Sequence, residues 1–183
     1  KTASIDSIAV LPFENVGADP NTEYLSDGIT ESLMNALSQL SNLTVTSRSS
    51  VFHYKGKEID PHQAGKELGV KSVLTGRVTQ RGDNLQISTE LMDVENNSHI
   101  WGGQYNRKLS DILTVQEEIS KEISHQLSLK LGGEDEKKLA KRSTENTNAY
   151  QLYLKGRFYW NKRTADDLRK AVDYYNQAVG MDP

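Results

Sequence analysis

The chain has 183 residues, 36% of them apolar, a formal net charge of −3 and no cysteine. That length allows one domain with a small appendage, and the modest apolar share calls for a soluble fold with a small core. The charge balance and the absence of a basic stripe argue against a nucleic-acid partner for this region. Without cysteine there is no disulfide framework, thiolate metal site or cysteine nucleophile.

The chain opens with strand, loop and helix. Ser7 to Phe13 is an apolar run of the kind buried on both faces of a sheet, limited by Pro12, which has no N–H to give to a ladder. Glu14 to Pro20 reads as a polar loop. A helix follows from about Asn21, with Leu25, Ile29, Leu33, Ala36, Leu37 and Leu40 on one stripe. Leu43 to Thr46 alternates as a second strand and runs into a polar loop, Ser47 to Lys57. A short helix starts at Pro61, with Asp60 as N-cap, Gln63 completing a capping-box spacing and Gly69 placed to end it left-handed.

Val70 to Thr79 is the next strand, in which Gly76 implies close approach of another group. A turn at Gln80 to Asn84 leads to a half-buried strand, Leu85 to Met92, whose leucines and isoleucine alternate with polar residues. After a turn at Glu95 to Ser98, the last strand runs from His99 to Tyr105, with Gly102-Gly103 reading as a bulge or strand crossing. A long helix is expected from Thr114 to Leu131, opened by a Thr114/Glu117 capping box and stopped by Gly132-Gly133. The predicted class is α/β: a mixed sheet of about five strands, in the order β-α-β-α-β-β-β-α, with flanking helices, over residues 1–131. Residues 132–148 are a polar linker or helical spacer. Residues 149–183 form a helical hairpin, broken at Asn161 to Arg163 and restarted by Thr164 and Asp167.

The hairpin carries the most specific local pattern: Leu152, Gly156 and Tyr159 on its first helix, Ala171, Tyr175 and Ala178 on its second, and Pro183 beyond. This resembles a tetratricopeptide repeat, with a longer gap between Gly156 and Ala171 and Lys155 at a position usually leucine. One repeat cannot bury its own face. Further repeats are therefore expected in the parent chain, and this region on its own is expected either to form a homodimer through residues 149–183 or to leave that hairpin loosely ordered.

Four runs over the first 131 residues resemble another family: Ser7 to Asn15, Glu23 to Glu31, Gly65 to Val70 with Leu74 to Val78, and His99 to Tyr105. They are similar to the amino-terminal domain of TolB and to the flagellar protein FlgO. That resemblance implies a bacterial signalling protein in which this domain precedes tetratricopeptide repeats. The region would be periplasmic or otherwise extracytoplasmic and membrane-anchored through its parent, with a cyclase, kinase or winged-helix regulator as effector. A free periplasmic assembly factor and a cytoplasmic location are the alternatives. The family has no agreed catalytic residues.

No catalytic, metal or cofactor site is expected. His53, His62, His99 and His125 lack metal-ligand spacing, and there is no nucleophile elbow, phosphate loop or HExxH. Asp27 and Glu31, one helical turn apart, could share a metal but read as a solvated acidic face. The candidate ligand or partner contacts are Arg48, Ser49 and Ser50, just past a strand end where open sheets place ligands, and the hairpin aromatics Tyr153 and Trp160. No run is long and apolar enough to span a membrane. The sequence opens on Lys1 and closes on Pro183 where the repeat pattern ends, so it reads as a piece of a longer protein. The expected function is non-enzymatic interaction or sensing, with a protein or peptide as partner.

Overall fold

The computed structural model describes residues 4–127, 129 and 131–183. In chain order the elements are β1 (Ser7–Val10), β2 (Glu14–Asn15), α1 (Glu23–Ser38), β3 (Thr44–Val45), α2 (Arg48–Phe52), α3 (Pro61–Leu68), β4 (Ser72–Arg81), β5 (Asn84–Asp93) and β6 (Ser98–Lys108). A 3-10 turn at Leu109–Asp111 then leads to α4 (Ile112–Gln126), α5 (Gly133–Ala140), α6 (Thr147–Lys162) and α7 (Ala165–Met181).

The strands form one mixed sheet in the order β3-β1-β4-β5-β6, with β2 pairing to β4 beyond the end of β1. β1 is parallel to β3 and β4, whereas β4, β5 and β6 are antiparallel neighbours. The sheet has six strands, one more than the sequence suggests. Pro12 breaks the ladder, and the Phe13 N–H turns instead to the Thr30 hydroxyl of α1 at 2.9 Å. Pairing then resumes as the two-residue β2. Such a fragment has no periodicity to read.

Register places Leu74, Leu91 and Trp101 in one cross-strand row and Val78, Ile87 and Tyr105 in another. These rows, with α1 and α4, form the core. On the other face α3 packs closely: a side chain at Gly65 would collide with Val73 and Val94. The alternation expected of β5 is realised, Gly76 is overlain by the Phe13 ring, and Gly69 ends α3 at φ 68°. Thr164 caps α7 by accepting the Asp167 N–H at 3.1 Å.

Four local expectations are corrected. Ser47 to Lys57 is not wholly loop, because Arg48–Phe52 is a helix; only Val51 of its five residues is buried, which leaves no apolar stripe to read. α4 starts two residues before Thr114, and Thr114 and Glu117 do not cap it. They hold the Arg142 guanidinium, at 3.2 and 3.0 Å. Gly102-Gly103 stays in register, the irregularity lying at Leu91/Met92; Gly103 makes room for the Trp101 and Tyr105 rings. α4 ends at Gln126, and Gly132 precedes α5 as its N-cap; positions 128 and 130 of the expected helix lie outside the described residues.

Between residues 132 and 148, α5 buries Leu139 against the core. α6 and α7 form a helical hairpin, with Arg163 left-handed at the C-cap of α6. A side chain at Gly156 would enter the Tyr175 ring, and Ala171 is fully buried. The expected close approach of the two helices at small residues is therefore present.

Candidate functional site

The hairpin meets the α/β body along α1. Every residue from Tyr24 to Glu31 is buried, although the sequence shows only one apolar stripe. α1 is covered on one side by the sheet and α4, and on another by α6. Facing it, Tyr150, Leu154, Arg157 and Asn161 on α6 are spaced 4, 3 and 4, a single helical stripe. Leu154 sits over Gly28, where even a methyl group would be 2.9 Å from its methyls. The Tyr150 hydroxyl bridges Ser32 of α1 at 2.6 Å and Gln116 of α4 at 2.9 Å. Burial raises the pKa of Tyr150, against the pull of those two hydrogen bonds.

Glu31 is the centre of the junction. Its Oε1 accepts from Arg48 Nε of α2 at 2.8 Å and from Asn161 Nδ2 of α6 at 3.1 Å. Its Oε2 accepts from Arg157 Nε and Nη2 of α6 at 3.1 and 2.7 Å. One nearly buried carboxylate thus holds α2 and α6 on α1. One turn earlier, Asp27 and Glu23 grip Lys55 at 2.6 and 2.8 Å. Burial raises the Asp27 pKa, partly countered by Lys55. Burial draws Lys55 down, but its bonds to Asp27 and Glu23 outweigh this and its pKa is raised. Asp27 Oδ1 is buried with no partner among the described residues.

The acidic pair is therefore not a solvated face. Asp27 and Glu31 are 5% and 7% exposed, because cations from two other segments neutralise them, as buried charge requires. Among the described residues no group of three or more His, Cys, Asp or Glu side chains is arranged to hold a metal ion.

Arg48 lies on this junction, paired with Glu31 and over the Phe52 ring. Ser49 and Ser50 are solvent-facing and share the Ser47 hydroxyl. Tyr153 and Trp160 are exposed; Tyr153 stacks near Tyr150 and Tyr175, and Trp160 lies under Arg163. Arg48, Ser49 and Ser50 thus belong to α2, and Tyr153 and Trp160 to α6. The sequence names Asp27 and Glu31 only as a possible metal pair or a solvated face, and it gives no role at the junction to Lys55, Tyr150, Arg157 or Asn161. The available signal was the α6 stripe, in which a cation and an amide share a face with buried Leu154.

A separate open cleft of about 980 Å³ lies beyond the end of β1, with Phe13, Lys55, Lys57, Arg77 and Glu90 on its walls. Two of its charges are already paired, Arg77 with Glu14 and Lys55 with Glu23. No helix among the described residues is long and apolar enough to cross a membrane.

The TolB crystal structure from Acinetobacter baumannii superimposes on 71% of this chain and 30% of its own, with a TM-score of 0.52 and 19% identity, a likeness of fold. A protein of Rhizobium meliloti (strain 1021), named "Putative adenylate cyclase 3", is 39% identical over 151 residues, 82% of this chain. This chain spans about a quarter (26%) of that relative's length. Residues 3–127 match the family described as HilA/YgeH-like transcriptional regulator, second domain, and the chain belongs to that family.

Proposed function

We propose that this chain is a non-enzymatic relay and interaction region of a bacterial signalling protein. In this reading the α/β body fixes the orientation of a tetratricopeptide-type hairpin, and the effector, a cyclase, kinase or transcription regulator, lies elsewhere in the parent chain. The observation that carries the reading is the α1–α6 junction: Gly28 under Leu154, Tyr150 across α1 and α4, and Glu31 gripping both α2 and α6. A hairpin held this way follows any displacement of α1. The membership of a transcription-regulator family and the likeness to a cyclase-named relative support a module reused before different effectors. The alignment to that relative is too long to end at residue 127, so the likeness continues beyond the family match.

The domain division belongs to this proposal: residues 1–131 as body, 132–148 as spacer, 149–183 as first repeat. So does an extracytoplasmic location in a membrane-anchored parent, which rests on the motif resemblance and is checked by reporter fusions on either side of the region. The relay is tested in the full-length parent with Leu154→Ala, which opens the junction without touching the surface. A changed effector output is expected. Unchanged output, with the hairpin shown to be released, overturns the relay.

A further inference from the structure

The two edges of the sheet differ. One is β3, two residues long. The other is β6, of eleven residues, which among the described residues pairs with β5 alone. A long open edge offers unpaired N–H and C=O groups to an incoming strand, and folds blunt such edges with charge, proline, bulges or a covering segment. β6 is blunted at both ends. Ile100 has no partner in the register, since Leu91 faces Trp101 and Met92 faces His99. Arg107 and Lys108 charge the other end. Between them, Trp101-Gly102-Gly103-Gln104-Tyr105-Asn106 contains no acid, base or proline. Gly102, Gln104 and Asn106 are exposed, and Trp101 and Tyr105 are half-buried. Both rings lean over Gly103: a methyl group there would lie 2.6 Å from Trp101 and 2.9 Å from Tyr105.

We propose that this edge pairs with the same edge of a second copy of the chain, antiparallel, about a two-fold axis at Gly103. The symmetry of the segment about that glycine selects the occupant. With the axis there, Trp101 faces Tyr105 of the second copy, Tyr105 faces its Trp101, and the two Gly103 residues meet in the middle. Aromatic residues directly opposite one another stabilise a strand pair, and no like charges fall opposite within the segment. Moving the axis by one residue sets Trp101 opposite Gly103 or Arg107 and loses both aromatic pairs. A foreign strand must be matched to this pattern, whereas a second copy supplies the match by identity. Self-pairing also consumes the long edge, and β3 is too short to template another strand, so assembly closes at two. Charge does not drive it. On α4, Glu118 pairs with Arg107 at 3.0 Å, and Glu122 accepts from the Gln126 amide at 2.7 Å with His125 at 3.9 Å. These acids recur in both copies, so backbone and rings must hold the pair. The inference goes beyond the relay and does not rest on it.

The test is sedimentation velocity of the chain as given over roughly 0.01–1 mM. So short a strand pair buries less than the roughly 1,200 Å² of stable complexes. A weak monomer–dimer equilibrium is therefore expected, with a Kd of about 0.1–1 mM, and added salt should not weaken it as it would the docking of a charged peptide. Outward amides of Trp101 to Asn106 should gain hydrogen-exchange protection as concentration rises. Gln104→Lys with Asn106→Lys, both at exposed positions, gathers like charges from both copies on one face of the paired edge and should raise Kd at least about tenfold. Val172→Lys with Val179→Lys, on the exposed apolar positions of α7, should leave Kd unchanged. If circular dichroism shows the edge variant misfolded, the concentration dependence of β6 protection in the unchanged chain decides. Three results overturn the inference: a monomer at every concentration, a dimer lost in the α7 variant but kept in the edge variant, or dimerisation without added protection in β6. Each leaves the relay untouched, since that is read from effector output after Leu154→Ala.

Discussion

Replacing Glu31 with glutamine removes the charge at the centre of the junction while keeping its shape. Four hydrogen bonds reach its two oxygens, three from guanidinium groups and one from Asn161. A hydrogen bond to a charged group contributes about 1.5–3 kcal/mol. The two arginines are about one-third exposed (33% and 34%), so water recovers much of each bond when it is lost. Glutamine retains one acceptor and turns an NH₂ toward a guanidinium. The expected cost is about 2–3 kcal/mol, and it falls on the docking of α6. The chain's two tryptophans report the two sides separately, Trp101 in the sheet and Trp160 on α6. In urea, single-tryptophan versions of E31Q should lose the Trp160 signal before the Trp101 signal. A double-mutant cycle with Arg157→Met should give a coupling above about 1 kcal/mol, beyond the roughly 0.3–0.5 kcal/mol scatter of independent sites. Additive effects with coincident transitions refute a Glu31-centred latch.

Glu117 has its pKa lowered chiefly by the hydrogen bond from Lys121; burial opposes this, and the hydrogen bond from Arg142 adds to the lowering. A depressed carboxylate stabilises the fold above its ordinary value of 4.5 and loses that contribution as pH falls through its folded value. Hydrogen-exchange protection near Arg142, corrected for the intrinsic pH dependence of exchange, should therefore fall below about pH 4.5 while the β4–β5 core stays protected; equal protection at pH 7 and about 3.5 contradicts this. Gly76→Ala places a methyl group into the Phe13 ring and should cost about 1–3 kcal/mol by overpacking, seen as a lowered Tm. An unchanged Tm would mean that Phe13 moves aside freely.

The body was largely legible because its signals are local. The β5 alternation, the α1 apolar stripe, Gly69 and Thr164 each depend on neighbours a few residues away. β2 and α2 were missed because two and five residues carry no period. The junction was illegible for a different reason. A carboxylate pair at i and i+4 on a helix reads as solvated, and it takes Arg48, 17 residues on, together with Arg157 and Asn161, 126 and 130 residues on, to make Glu31 an interior group. Arg48 is a candidate ligand contact in the sequence, and the fold adds what no local pattern shows, a bond from its Nε to Glu31.

The most direct measurement of the central claim is the distance between the body and the hairpin. The chain has no cysteine, so spin labels at Gln86→Cys on β5 and Val179→Cys on α7, both exposed, introduce a single pair. Pulsed electron resonance should give one narrow distance in the otherwise unchanged chain and a broad distribution when Glu31→Gln is added. A distribution equally broad in both would show that the hairpin is not held by this junction, and the relay would fall with it.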